Sequence, residues 1–365
     1  MRPARTLLLH LLRQPDLAPE LALPQWDIII RQARAANLLA ALDARLERAG
    51  VRDCLPPQPR AHLDWMRQLA YTHARATTLE IGEIRKALAG LDLPLILLKG
   101  AAYNAAGMPV AQGRLFADID ILVPKERLPA VESALLMHGW AATVEDEYDQ
   151  HYYRTWMHEI PPMQHVRRLS SIDVHHAIVP LTARETHDAA LLGAAALPVP
   201  GWEANEGEVP VQVLAPSDMV LHCAVHLFND GEFDKGLRDL LDFDGLLRHF
   251  GAQQGFWDGL LARACQLKLQ RPLFYGLRHA RALLDTPLPA EVENKAVGRP
   301  NRALIPLMDA LFSRALLPAH ASSSDLLTGA ARGALYVRGN WLRMPPLLLA
   351  RHLGRKAFMS LRREE

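Results

Sequence analysis

Residues 118–123 read Asp-Ile-Asp-Ile-Leu-Val and are stopped by Pro124. Strict alternation is the period of a strand, so Asp118 and Asp120 share one face while Ile119 and Ile121 point into a core on the other. The chain must therefore build a sheet that buries one face and gathers carboxylates on the opposite one. Upstream, the continuous apolar run of residues 93–98 ends in Lys99-Gly100, which suits a buried strand entering a tight turn, and residues 101–106 begin a helix. Downstream, residues 126–138 read as an amphipathic helix closing at Gly139. Strand, helix, strand, helix is an α/β unit. Residues 141–144, 152–156, 165–169 and 171–178 have strand-like content, and this half reads as more antiparallel. Pro180 closes the sheet region, and the Pro/Gly-rich residues 198–210 read as a connector.

On either side the apolar spacing is helical. It runs from Leu7 to about Gly50 and resumes over residues 61–91, after the breakers Pro56, Pro57 and Pro59. It returns from Ser217 as helices over 218–228, 237–250, 254–267, 272–284 and 303–316. The expected architecture is α+β: an N-terminal helical region (1–90), a small mixed β-sheet core (91–180) and a C-terminal helical domain (181–365). The tail over 347–363 carries Arg351, Arg355, Lys356, Arg362 and Arg363 among apolar residues. It reads as a solvated helix, with peripheral contact to an anionic membrane surface as the alternative.

Charge narrows the partners. Lys plus Arg number 41 against 40 Asp plus Glu, a formal charge of +1, so no global field draws in nucleic acid and any phosphate binding must be local. No basic-aromatic stripe is present either, which disfavours nucleic acid as a partner. Cys54, Cys223 and Cys265 lie far apart and match no zinc spacing, which suits a reducing compartment. With no evident secretory signal, and no apolar stretch near the ~18–20 residues of a membrane span, the chain reads as cytoplasmic.

Two carboxylates on one strand face repel each other unless a cation sits between them, and oxygen-only ligands select Mg²⁺ or Mn²⁺. In residues 171–176, Ser-Ile-Asp-Val-His-His, Asp173 and His175 share a face, which makes Asp173 the natural third carboxylate. Three aspartates able to bind two divalent ions fit phosphoryl or nucleotidyl transfer. Lys99 adds a point charge for a triphosphate, at a turn where Gly100 lets the backbone approach phosphate. Arg114 can fork onto a phosphate oxygen or pair with Asp118. For His175 the readings are a bond to a metal-holding carboxylate, a proton acceptor, or a histidine satisfied within the fold. His222 and His226, at i and i+4, read as structural, and Arg238, Asp239 and Asp242 as a partly buried network between domains.

These segments resemble a known family. Leu97-Leu98-Lys99-Gly100-Ala101-Ala102, then Arg114, then Asp118-Ile119-Asp120-Ile121-Leu122-Val123, is similar to the uncharacterised bacterial nucleotidyltransferases of the DNA polymerase beta-like superfamily. Ile172-Asp173-Val174-His175 looks like that family's Asp-Leu-His strand, and residues 221–226 and 237–242 resemble its following helical segment. The resemblance covers most of residues 20–250. It implies a small mixed-sheet nucleotidyltransferase core, Mg²⁺ or Mn²⁺ held by Asp118, Asp120 and Asp173, and an NTP donor. The hydroxyl-type acceptor stays open among a small molecule, a saccharide and a peptide. Ala101 stands where serine usually follows the glycine, and His176 where tryptophan often follows the strand histidine. Two other readings compete with it. A sugar-nucleotide glycosyltransferase would need several strands and helices ahead of the aspartate pair; a degenerate nucleotide-binding regulatory subunit would not need the intact aspartates.

Overall fold

A computed structural model of the chain describes residues 4–345, apart from 145, 187 and 296, together with residue 349. Among the described residues seven strands form one mixed sheet: β1 (Leu95–Leu97), β2 (Asp118–Leu122), β3 (Trp140–Ala142), β4 (Met163–His165), β5 (Ser171–His175), β6 (Leu197–Pro198) and β7 (Val211–Val213). Their order is β3-β4-β5-β2-β1-β7-β6. The centre is parallel between β2 and β5 and antiparallel between β1 and β2, while β3, β4 and β5 run antiparallel in turn. The alternation read from residues 118–123 is realised as expected. Ile119, Ile121, Ile172 and Val174 form the buried face, each at most 4% exposed.

Helices stand before and after the sheet, as the α+β reading requires. On the N-terminal side they include Leu7–Arg13, Leu23–Ala35, Leu39–Arg48 and the long Pro57–Ala87. The last packs on the helices Lys99–Ala105 and Leu128–Met137. On the C-terminal side, Pro216–Asn229 is surrounded by Gly236–Phe250, Phe256–Gln266, Gln270–Leu284 and Thr328–Arg343. One apolar cluster runs from Leu7 through the sheet strands to Leu335, so both sets of helices share the core with the sheet. Buried charge joins them directly as well. Arg45 Nη2 donates to Asp244 Oδ2 at 2.7 Å, and Asp244 also accepts from Arg248 and Thr286.

Three readings of the sequence need correction. Residues 152–156 lie in the helix Glu147–Trp156 rather than a strand, because Asp146 accepts from the backbone N–H groups of Tyr148 and Asp149 and so caps a helix that aromatic content alone would not suggest. Residues 198–210 are not a plain connector past a closed sheet, since β6 and β7 flank the segment and β7 pairs in parallel with β1. Arg85, 5% exposed, fixes that segment by donating to Val209 O and Glu203 O. The strands of the β1-helix-β2 unit pair antiparallel, so this unit is not the parallel crossover that a strand-helix-strand pattern suggests. The basic tail, residue 349 apart, lies outside the described residues. Among the described residues no helix is long and apolar enough to cross a membrane.

Ile121 is fully buried in the central strand. Replacing it with alanine is expected to lower unfolding free energy by about 2–5 kcal/mol, measured by urea denaturation.

Candidate active site

The parallel register of β2 and β5 places Asp120 opposite Asp173. Asp118 lies two residues earlier on the same face of β2 and is exposed, whereas Asp120 is 3% exposed. Antiparallel pairing brings the exit of β1 beside the middle of β2, where Leu98 N donates to Asp120 O at 2.9 Å. The next residue, Lys99, turns into the left-handed region with φ 46°, a conformation that costs a lysine of order 1 kcal/mol. That turn delivers its ammonium to the carboxylate face, and Nζ donates to Asp120 Oδ1 at 2.7 Å. His175 stands two positions beyond Asp173 on the same face of β5, and its Nε2 donates to the same oxygen at 3.0 Å. Glu159 joins through a backbone bridge to His175, with Oε2 3.4 Å from His175 Nε2.

These contacts divide the aspartates into two electrostatic kinds. Burial opposes ionisation of Asp120, but the charge of Lys99 and the hydrogen bond from His175 hold its carboxyl well below the usual range. Lys99, in turn, is raised by Asp120 against the effect of its own burial. Among the described residues Asp173 has no such partner. Burial, together with the charges of Asp120, Glu159 and Asp118, pushes it up to about 7. The face therefore holds one compensated carboxylate beside one that ionises only reluctantly. Around them, burial drives His158 and His222 well below the usual imidazole range, so both are neutral.

Arg114 pairs with Asp242 rather than with Asp118. It lies behind the Lys99-Gly100 turn, with Nε 3.0 Å from Asp242 Oδ2 and its guanidinium carbon 5.7 and 5.9 Å from the ring centres of Tyr103 and Phe116. Gly100 is required for this reason: a Cβ there would collide with the Arg114 guanidinium. Asp242 comes from the helix Gly236–Phe250, so the ion pair ties the turn to the C-terminal helices. Arg238 donates to its neighbour Asp239. His222 is buried with its ring 6.4 Å from that of His175, whereas His226 turns away to Asp230 at 2.8 Å, so the two histidines do not converge. A cavity of about 340 Å³ lies beyond Arg114, lined also by Arg45, Arg238, Asp242, Arg248 and His249.

The structure thus brings together Lys99, Asp118, Asp120, Asp173 and His175, and sets Gly100 and Arg114 just behind them. Sequence reasoning missed His158 and Glu159. They sit in the irregular segment between the helix Glu147–Trp156 and β4, ahead of Pro161-Pro162, where neither alternation nor helical spacing marks them. Asp118, Asp120 and Asp173 share this sheet face and offer oxygen donors of the kind a hard divalent cation takes.

A mixed sheet flanked by helices, with aspartates paired across two parallel strands next to a lysine-glycine turn, is the arrangement of a nucleotidyl-transferring enzyme. The chain belongs to a family described as uncharacterised nucleotidyltransferase, whose model matches residues 23–285. That span takes in the sheet and the helices on both sides of it. No protein of curated function matches the chain.

The two kinds of aspartate have opposite consequences in metal-free protein. Asp120→Asn leaves Lys99 and His175 without their counter-charge and is expected to destabilise by about 2–4 kcal/mol. Asp173 binds its proton more tightly folded than unfolded, so its contribution to stability is full at low pH and is lost as pH rises from about 4 to about 7. Asp173→Asn removes that loss and is expected to gain about 1–3 kcal/mol at pH 8. Urea unfolding of chelated protein at pH 5 and pH 8 checks both signs.

Proposed function

We propose that this enzyme moves a nucleoside monophosphate from an NTP to a hydroxyl-type acceptor, with Mg²⁺ or Mn²⁺ as cofactor and pyrophosphate as the leaving group. The observation that carries the proposal is the register of Asp120 against Asp173, with Asp173 left short of positive charge. Asp118, Asp120 and Asp173 would hold the metal. When bound, a divalent ion neutralises phosphate charge and stabilises the charge that develops on transfer. The acceptor hydroxyl gives up its proton to solvent, its oxygen forms a bond to the α-phosphorus as the bond from that phosphorus to the bridging oxygen breaks, and pyrophosphate departs with the electron pair.

The chain's own residues prepare that step. Lys99 meets the triphosphate at the end of β1, where its ammonium already serves the carboxylate face, and Gly100 keeps the turn open to phosphate oxygens. Arg114 holds this turn from below through Asp242, a positioning role that supplements the phosphate contact expected of it. His175 fixes the orientation of Asp120 by donating to Oδ1. Free Cys54, Cys223 and Cys265 support a cytoplasmic site of action. The mixed sheet supports placement in the DNA polymerase beta-like superfamily, and the acceptor classes favoured are a small molecule, a saccharide or a peptide rather than nucleic acid.

Incubation with each α-labelled NTP, Mg²⁺ and cell extract tests the proposal. Label is expected to move to an acceptor with one or more of the nucleotides, and Asp118→Asn or Asp173→Asn to reduce transfer at least about a hundredfold. Transfer that persists in both variants, or none with any nucleotide, would contradict it.

A further inference from the structure

His158, Glu159 and His175 bring two imidazole nitrogens and a carboxylate oxygen within 4.8 Å of one another. The backbone fixes all three. His175 ends β5, Glu159 faces it through a bridge, and His158 is held by the 2.8 Å bond from His176 N to its carbonyl. The polar atoms of this group are only partly used. His175, 1% exposed, gives Nε2–H to Asp120, while its Nδ1 and the Nδ1 of His158 are buried with no hydrogen-bond partner among the described residues. A buried polar atom without a partner is costly to the fold. A buried imidazole nitrogen without a partner is open to a ligand, and a carboxylate on the ring's other nitrogen is the usual outer partner of a metal-binding histidine.

We infer that His158, Glu159 and His175 form a site for a transition-metal divalent cation beside the three aspartates. Two imidazoles, one carboxylate and open positions make up a donor set suited to Zn²⁺ or Co²⁺, whereas Mg²⁺ prefers oxygen ligands. The two sites would therefore sort ions by ligand chemistry across a few ångströms. The inference rests on the nucleotidyl-transfer reading only in that His175 also serves Asp120.

Full-length protein, chelated and then returned to excess Mg²⁺, would be titrated with Co²⁺ alone while its visible absorption is recorded. One equivalent is expected to give a ligand-field band. His158→Gln and Glu159→Gln, each shown by thermal melting to be folded, are expected to weaken Co²⁺ affinity about tenfold or more. Asp118→Asn is expected to leave the band in place. Unchanged Co²⁺ affinity in either folded variant, or loss of the band in Asp118→Asn, overturns the inference. Failure of the nucleotidyl-transfer reading would appear separately, as absent label transfer with Co²⁺ binding intact.

Discussion

Asp120 is a carboxylate that the fold has taken out of water, and its ionised form survives because two strands each send it a donor. Lys99 arrives from the end of β1 and His175 from the end of β5, both on Oδ1. The pairing fixes more than one charge. It requires β1 antiparallel and β5 parallel to β2, and it draws Lys99 into a left-handed turn. Breaking a pair of this kind costs more than the pair contributes, because the remaining partners stay buried and uncompensated. The sheet centre and the site are for this reason one piece of physics.

The same electrostatics leave Asp173 without a partner. Asp120, already neutralised by Lys99 and His175, has no positive charge to lend across the strand pair, and Glu159 adds a further negative one. An all-compensated face would need no cation, and an all-uncompensated one would not fold readily. The observed division compensates one carboxylate within the fold and leaves the other holding its proton up to near neutral pH. Behind this face, Arg114 and Asp242 connect the Lys99-Gly100 turn to the C-terminal helices, so displacement of those helices would be felt at Gly100.

What the sequence made legible was periodic. Two-residue alternation over residues 118–123 and 171–175 located three aspartates on one face, and helical spacing located most of the flanking helices. What escaped it was non-periodic or long-range. Asp146 overrode the aromatic content of residues 152–156 by a local cap, and β7 was recruited by pairing with β1 across more than a hundred residues. Lys99 stands at the strand-to-helix turn, as the apolar run before it predicts, and Arg114 packs behind that turn. Their partners, Asp120 and Asp242, depend on strand direction and helix packing, which spacing does not encode. His158 and Glu159 were invisible because a single backbone bridge, rather than an element, brings them to His175.

Asp173 holds a proton near neutral pH, and under the proposed function a divalent cation bound there must displace it. Titration calorimetry of Mg²⁺ at pH 6.5, repeated in buffers of different ionisation enthalpy, counts protons released on binding. With Asp173 pushed up to about 7, the account predicts release of a large fraction of one proton, falling towards zero by pH 8.5 and absent in Asp173→Asn. Binding without proton release at pH 6.5, or equal release from Asp173→Asn, would contradict it.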